Sequence, residues 1–219
     1  MRRALGTALV VVGLLVLADA AATLAWQEPL SAWRAGRAQH RLAGQLRAIE
    51  LAAPPPRTAR GHAELASAAQ ALARSRRDGQ AVAELRIARI GLRAIVVRGT
   101  TAADLRDGPG VLAGTPLPGQ HGTTAIAGHR TTYGAPFRHL DALRRGDAIT
   151  LRLPYASFRY RVEGRRIVDP GDLSVLRRAG HDRLVLSACH PLFSAARRIV
   201  VLARLTGVGQ SARSVGSHA

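Results

Sequence analysis

The stretch Leu184–Pro191 reads Leu-Val-Leu-Ser-Ala-Cys-His-Pro. Its apolar run predicts a buried strand, and the strand ends at Cys189, the only cysteine of the chain. A sole cysteine cannot form an internal disulfide, so it is either a small buried side chain or a nucleophile. Because functional side chains concentrate where regular elements end, we interpret Cys189 as a nucleophile.

Two further apolar runs carry a polar side chain at one end. His129 follows the run Thr123–Gly128, and Arg198 opens the run Arg198–Ala203. If the three strands share one edge of a sheet, a thiol, an imidazole and a guanidinium meet there. Such a set can attack a peptide carbonyl, protonate the leaving amine and hold the oxyanion that forms.

The residues next to these three leave some roles open. Adjacent strand residues face opposite ways, so only one of Arg197 and Arg198 can point at the thiol, and spacing alone does not choose. By the same rule His190 points away from Cys189, and we interpret it as a residue beside the site and not as a base. Asp141 is interpreted as part of a helix-to-strand connection and not as a third catalytic group. The sequence shows no metal-ligand spacing, and we predict neither a metal nor a cofactor.

The charge of the chain is strongly positive. Of its 219 residues, 32 are basic, all of them arginine, and the formal net charge is +18. This balance suits an anionic neighbourhood such as nucleic acid, acidic lipid headgroups or an anionic cell wall. The arginines are scattered through apolar segments, and aromatic residues make up only 4% of the chain, so stacking platforms for bases are few. We therefore predict that nucleic acid is not a partner.

The N-terminus carries a topological signal. Two arginines precede an apolar stretch over residues 4–26, which is long enough to span a hydrocarbon core of about 30 Å. We predict a cytoplasmic segment 1–3, a transmembrane anchor or uncleaved signal at 4–26, and a catalytic domain on the extracytoplasmic face of the cell membrane. Cleavage as a signal peptide near Ala18-Asp19-Ala20 stays open, and arginines soon after the stretch leave its orientation open.

The rest of the chain divides by composition. Residues 27–81 are rich in Ala, Arg and Gln, with a proline run at 54–56, and predict a helical or irregular extracytoplasmic stalk. Residues 82–206 predict about eight short strands with short helices, which makes a mainly β barrel or sandwich, and 207–219 predict a flexible tail. Predicted strands are 82–90, 92–97, 123–128, 148–153, 158–163, 183–188 and 198–205, with helical turns at 101–105, 136–143 and 172–176 and a loop at 108–110.

Three motifs in order resemble the sortase family of cysteine transpeptidases. They are Ala127-Gly128-His129-Arg130, then Leu140-Asp141-x-Leu143-x-x-Gly146-Asp147, then Cys189-His190-Pro191 with an arginine nine residues after the cysteine. The run His-Arg-Thr-Thr-Tyr-Gly-Ala-Pro-Phe over 129–137 resembles class E, the housekeeping sortases of high-GC Gram-positive bacteria. The resemblance covers residues 82–206.

The resemblance implies an eight-stranded sortase barrel and three catalytic residues. Cys189 would be the nucleophile, His129 the acid and base, and Arg198, the ninth residue after the cysteine, the oxyanion support. The implied reaction cleaves a secreted protein between Thr and Gly of a C-terminal sorting signal of the Leu-Ala-x-Thr-Gly or Leu-Pro-x-Thr-Gly type. It then joins that protein to an amine of a peptidoglycan precursor. Tyr133 matches a class E position near the substrate groove, and we add Ala188 and His190 as predicted substrate-binding residues.

The sequence also departs from the family pattern. Sortases usually carry Thr-Leu-x-Thr before the cysteine, whereas this chain has Val185-Leu-Ser-Ala188, which removes both hydroxyls. Three alternatives follow from other features. A pilus-building sortase would carry a lid with an Asp-Pro-aromatic element, and none occurs between Gln27 and Gln80. A wall-crosslinking cysteine transpeptidase would carry glycine before Cys189, where this chain has Ala188. A membrane-tethered wall-binding module with a degenerate site is the alternative without catalysis.

Overall fold

The computed structural model describes residues 9–15, 29–52 and 61–210. Within them, eight strands run over Ala81–Ile87 (β1), Leu92–Arg98 (β2), Gly110–Val111 (β3), Thr123–Ala127 (β4), Ala148–Arg152 (β5), Ser157–Val168 (β6), Arg183–His190 (β7) and Arg197–Gly209 (β8). They close into one barrel in the order β1-β2-β3-β4-β7-β8-β6-β5. Most neighbours are antiparallel, while β2 with β3 and β4 with β7 are parallel. The predicted mainly β, eight-stranded barrel with short helices is therefore confirmed.

Alternation of side chains along the strands builds the barrel interior. In β6, Phe158, Tyr160 and Val162 are buried while Arg159 and Arg161 between them are exposed. Strands whose side chains alternate in this way bury one face and solvate the other. Strands β1, β5, β6, β7 and β8 each contribute at least two buried side chains to the main core, while β2, β3 and β4 add one apiece, Val96, Val111 and Ile126.

One strand and several boundaries differ from the prediction. Strand β1 ends at Ile87 and not at 90, and β6 continues to Val168, five residues beyond the predicted end at 163. The sequence predicts a loop at 108–110, but Gly110 begins strand β3 and pairs with Val97 of β2 and Ala127 of β4. A two-residue strand after Gly-Pro leaves no periodicity to detect. Its backbone approaches so closely that a Cβ at Gly110 would overlap the carbonyl oxygen of Gly99. The last strand also continues three residues beyond the predicted boundary at 206, and residues 211–219 of the predicted tail lie outside the described residues.

The segment predicted as a stalk contains two helices that pack on the barrel. Helix α1 spans Pro29–Ala52, helix α2 spans His62–Ser75, and a short helix α3, capped as the sequence predicts by Thr101, spans Ala102–Asp107. Leu42 and Leu46 of α1 pack on β1 and β2, against Ala81, Ile95 and Val97. Helix α2 contributes Leu65, Ala69 and Leu72 to the main core of the barrel. The interpretation of a separate stalk is thus corrected for these helices. The apolar stripes of both helices are narrow and rich in alanine. Their packing therefore depends on close contact with barrel strands that are remote in sequence, which the sequence pattern of the helices does not indicate.

A buried ion-pair network joins α1 to the barrel. Arg152 of β5 pairs with Glu50 of α1 at 2.6 Å and with Glu84 of β1 at 2.8 Å, and the Glu84 side chain is only 1% exposed. Burial by itself raises the pKa of Glu84, but hydrogen bonds from Arg86, Arg93 and Arg152 outweigh it and lower the pKa to about 2. The carboxylate therefore stays ionised through the whole physiological pH range, and α1 is held by charge as well as by apolar contact.

Truncating the apolar contact of α1 should destabilise the whole domain. Leu42 is fully buried between α1 and the barrel, so L42A is expected to lower the free energy of unfolding by about 2–5 kcal/mol. Chemical denaturation followed by circular dichroism measures this. The matched control is L51A, because Leu51 lies on the same helix but is 73% exposed; a change within about 0.5 kcal/mol is expected there. Equal effects of the two variants would contradict the packing of α1.

The predicted anchor is described only in part. Residues 9–15 are helical, and the remainder of the predicted 4–26 segment lies outside the described residues. In the described ranges, no helix combines the length and the apolar character needed to cross a bilayer.

Candidate active site

Three neighbouring strands bring the three predicted catalytic residues to one end of the barrel. β7 lies between β4 and β8. The parallel register ends with Ala127 beside Ser187, and His129 and Cys189 each follow two residues later along their chains. On the other side of β7, Cys189 pairs directly with Arg198 of β8. The order across the barrel wall is therefore imidazole, thiol, guanidinium.

The thiol and the guanidinium share the outer face of the barrel. Ala188 and its partner Ile199 are 3% and 2% exposed and belong to the interior core, so Cys189 and Arg198 point outward. Side chains directly opposite on antiparallel strands have Cβ atoms about 4.5–5.5 Å apart. Cys189 and Arg198 are both half-buried, so each can be reached from solvent.

The ladder also decides between the two adjacent arginines. Arg197 pairs with His190, and its guanidinium reaches away to Asp169 at 3.2 Å. Arg198 lies opposite Cys189 and donates Nη1 to the carbonyl oxygens of Ala195 and Arg197 at 3.0 and 3.1 Å. These two bonds fix one side of the guanidinium. Within the described part of the chain, its Nη2 and Nε carry no hydrogen bond, so they are free to meet a developing oxyanion.

The His129 imidazole has a lowered pKa and one ring nitrogen without a hydrogen bond among the described residues. Its pKa is lowered first by desolvation and then by the positive charge of Arg106, at the end of α3. Its Nε2 atom is buried and has no hydrogen-bond partner among the described residues. Because buried polar atoms are nearly always paired, an orphaned imidazole nitrogen marks a position where a thiol or a substrate proton can be received.

The loop after β4 is built to hold His129. Gly128 is required because a Cβ there would lie 2.8 Å from the ring of Phe137, which is fully buried. The Phe137 N–H donates to the carbonyl oxygen of His129 at 3.0 Å and closes the loop. The run 129–137 is therefore a compact loop whose last residue, Phe137, is hydrogen-bonded to its first, His129.

Tyr133 lies at the tip of this loop, against His129. The two ring centroids are 5.1 Å apart, and the Arg106 guanidinium lies 5.9 Å from the Tyr133 ring centroid. The Tyr133 backbone adopts φ 52°, which is strained for a non-glycine residue, and its N–H donates to Ser31 Oγ of α1 at 3.1 Å. Contacts from α1 and α3 thus support a loop conformation that places an aromatic ring beside the imidazole.

Two predicted substrate-binding residues are placed elsewhere. Ala188 packs into the barrel interior, so its side chain cannot line the outer face next to Cys189. His190 lies on that same opposite side of β7, where its Nδ1 receives Arg130 Nη1 at 3.1 Å. Both placements have one cause: residues next to Cys189 in a strand must point the other way.

Sequence reasoning missed the structural role of Arg130. This arginine is 3% exposed and pairs with Asp141 at 3.1 Å as well as with His190. Asp141 was expected only to support a helix-to-strand connection, yet it neutralises this buried cation. The sequence did contain both residues in its motifs, Arg130 in the first and Asp141 in the second. Membership in two separate motifs does not show that the residues are in contact. Arg130 therefore ties the loop of His129 to the end of β7.

An apolar wall adjoins the thiol on the outer face. Ala125, Val185, Val200 and Leu202 are buried there beneath Val175, which belongs to the predicted short helical turn, observed as a 3-10 turn at Leu173–Leu176. The connection between β7 and β8 adds exposed apolar side chains, Leu192 and Phe193. An apolar surface beside a thiol suits an extended peptide with apolar side chains. In the described part of the chain, no group of three or more His, Cys, Asp or Glu side chains is placed to bind a metal ion.

The sortase domain model matches residues 85–206, which is more than half of the chain. The chain belongs to the sortase family. Its matched range agrees closely with the segment 82–206 over which the motifs occur, and membership makes the protein a cysteine transpeptidase. The family resemblance drawn from the sequence is confirmed.

Relatives from several sortase classes are similar to this chain. Sortase D of Bacillus subtilis (strain 168) is 32% identical over 148 residues, which is 67% of this chain and 73% of the relative. The SrtF sortase from Corynebacterium diphtheriae superposes with a TM-score of 0.59 at 29% identity, covering 66% of this chain and 93% of that one. Sortase E from Streptomyces avermitilis gives a TM-score of 0.58 at 29% identity, covering 64% and 97%. The similarity establishes the family without selecting a class.

Proposed function

We propose that this sortase is a membrane-anchored class E enzyme that transfers secreted proteins to a peptidoglycan-precursor amine. The substrate is a C-terminal sorting signal of the Leu-Ala-x-Thr-Gly or Leu-Pro-x-Thr-Gly type, cut between Thr and Gly. The observation that carries the proposal is the convergence of three side chains at one end of the barrel: Cys189 and Arg198 lie opposite each other on β7 and β8, on one face, and His129 lies at the start of the loop after β4.

The proposed first half-reaction uses all three groups, and His129 acts twice. His129 takes the thiol proton, and Cys189 Sγ attacks the threonine carbonyl carbon, so that a C–S bond forms and the carbonyl electrons move to oxygen. Arg198 holds that oxyanion through its unoccupied N–H groups. As the oxyanion collapses, the C–N bond breaks and the His129 imidazolium gives its proton to the departing glycine amine, which leaves a thioester.

The second half-reaction returns the enzyme to its starting state. An amine of the acceptor attacks the thioester carbonyl, a C–N bond forms, and the C–S bond breaks to release Cys189 thiolate. His129 takes the extra proton from the attacking amine and returns it to the thiolate. Water in place of the amine gives hydrolysis, which is why a sheltered cleft and a correctly oriented acceptor matter.

The class assignment is supported by the loop over 129–137 and by the similarity to sortase E structures. The similarity to sortase D of Bacillus subtilis makes that class the competing assignment. The proposed anchor rests on the apolar stretch 4–26, which begins shortly before α1. Its proposed orientation places the barrel on the extracytoplasmic side, where sorting signals and wall precursors are accessible.

A panel of sorting-signal peptides tests the substrate proposal. Peptides that differ only at the second position, with alanine or proline, are incubated with the full chain in detergent, and the acyl-enzyme is detected by mass spectrometry. We expect a mass increase on the peptide containing Cys189 that corresponds to the fragment ending in threonine, with alanine preferred. An acyl-enzyme with neither peptide, while the thiol remains reactive, would reject this substrate class.

The pH dependence of cleavage should respond to Arg106. Because the Arg106 charge helps to lower the pKa of His129, removing it in R106Q raises that pKa. The acidic limb of the kcat/KM profile reports the imidazole losing its proton, so we expect this limb to move to higher pH in R106Q. R106K keeps the charge and should keep the wild-type limb. A limb that stays in place in both variants would show that Arg106 does not act on His129 electrostatically.

A further inference from the structure

Helix α1 presents a basic face that the fold leaves uncovered. Its buried side packs on the barrel, while Arg34, Arg37 and Arg47 are exposed and carry no ion pair within the described residues. Glu50, the one carboxylate of the helix, is 8% exposed and is paired with Arg152. The exposed face is therefore purely cationic, and we call it the α1 basic face.

An exposed tryptophan lies within this face. Trp33 is 58% exposed, and the Arg37 guanidinium lies 4.9 Å from its ring centroid. At 100° per residue, Trp33, Arg37, Gly44, Arg47 and Leu51 fall on one stripe, so aromatic and aliphatic surface lies between the charges. A helix with arginines, a tryptophan and a leucine on one face is suited to lie in the headgroup layer of a membrane.

We propose that the α1 basic face docks on anionic phospholipid headgroups. Charge complementarity selects this occupant, because three unpaired arginines on one side of a helix attract an anionic surface. Continuity with the apolar stretch 4–26 favours lipid over other polyanions, because α1 begins at Pro29, directly after that stretch. The inference rests on the membrane anchoring proposed above, and it adds a second, peripheral contact.

Docking in this way orients the catalytic domain. The N-terminal turn of α1 contacts the loop beside His129, because Ser31 Oγ accepts the Tyr133 N–H, and Ala35 lies next to Gly134. A helix lying on headgroups would therefore hold this side of the active site close to the lipid surface. An anchor alone leaves the domain free to rotate, whereas a second contact fixes which side faces the membrane.

The test measures the distance between Trp33 and lipid. The chain has two tryptophans, so W26F leaves Trp33 as the only emitter. The full-length single-tryptophan protein is placed in vesicles of brominated phosphatidylglycerol mixed with phosphatidylcholine, or of brominated phosphatidylcholine alone. We expect quenching of Trp33 in the anionic vesicles that weakens as salt is added, and little quenching in the zwitterionic ones.

Matched variants separate this face from general charge. R34Q/R37Q/R47Q should reduce quenching to the level of zwitterionic vesicles, while R144Q/R159Q/R178Q, which removes three exposed arginines elsewhere, should leave it unchanged. Equal loss in both triples, or equal quenching in both lipids, overturns the proposal. Relief of quenching by a single-stranded oligonucleotide at stoichiometric amounts would assign the face to nucleic acid and also overturn it. Peptide cleavage in detergent is measured on the same proteins, so failure of lipid docking is distinct from failure of catalysis.

Discussion

Replacing Cys189 with alanine is expected to abolish peptide cleavage and acyl-enzyme formation. The attacking atom is lost, and no neighbouring side chain on the outer face of β7 can replace it, because Ser187 lies two residues earlier along the strand and Ala188 faces inward. Removal of a nucleophile in enzymes of this kind lowers turnover by at least about 10⁴-fold. Cleavage of the preferred peptide, followed by chromatography, measures the effect.

Stability should be almost unaffected by the same change. The Cys189 side chain is half-buried on the outer face and does not belong to the interior core, so C189A leaves no large cavity. The melting temperature of the variant serves as the control. Undiminished cleavage by C189A would falsify the thiol mechanism, and a collapse of stability would mean that the residue has a packing role that the barrel does not predict.

Replacing Arg198 with glutamine is expected to lower kcat by about 10²–10³-fold while changing KM little. The guanidinium is placed opposite the thiol and is proposed to donate to an oxyanion that exists only during the reaction, so its loss affects the transition state more than substrate binding. R198K should retain part of the rate, since an ammonium group keeps the charge but not the planar pair of donors.

The adjacent arginine provides the matched control for this prediction. Arg197 pairs with His190 and reaches Asp169, so R197Q removes the same charge one residue away without touching the proposed oxyanion site. We expect less than about a threefold change, in keeping with a solvated ion pair at the surface. The reverse ranking of R197Q and R198Q would show that the register of β7 and β8 in solution differs from the one described.

Several features could be predicted because their signals are local. Each of the three candidate catalytic residues lies at the end of an apolar run, and a short helix was predictable from the capping pair Thr101 and Asp104. The alternation of β6 and the apolar run of β7 indicated a mainly β domain before any contact was known. These signals depend only on neighbours along the chain.

Other features depend on partners far away in sequence. Helix α1 could not be assigned to the domain, because Leu42 and Leu46 form a core only together with Ile95 and Val97 of β2. The ion pair of buried Arg130 with exposed Asp141, and the action of Arg106 on His129, also depend on positions that no spacing rule contains.

The sequence alone determined that a mainly β domain of short strands carries a thiol, an imidazole and a guanidinium at strand ends, because the order of residues sets the hydrophobic periodicity. Only the tertiary structure decided which arginine faces the thiol, that Ala188 packs in the barrel interior, and that α1 supports the loop of Tyr133. Those choices depend on strand register, and a shift of one residue moves every side chain to the other face.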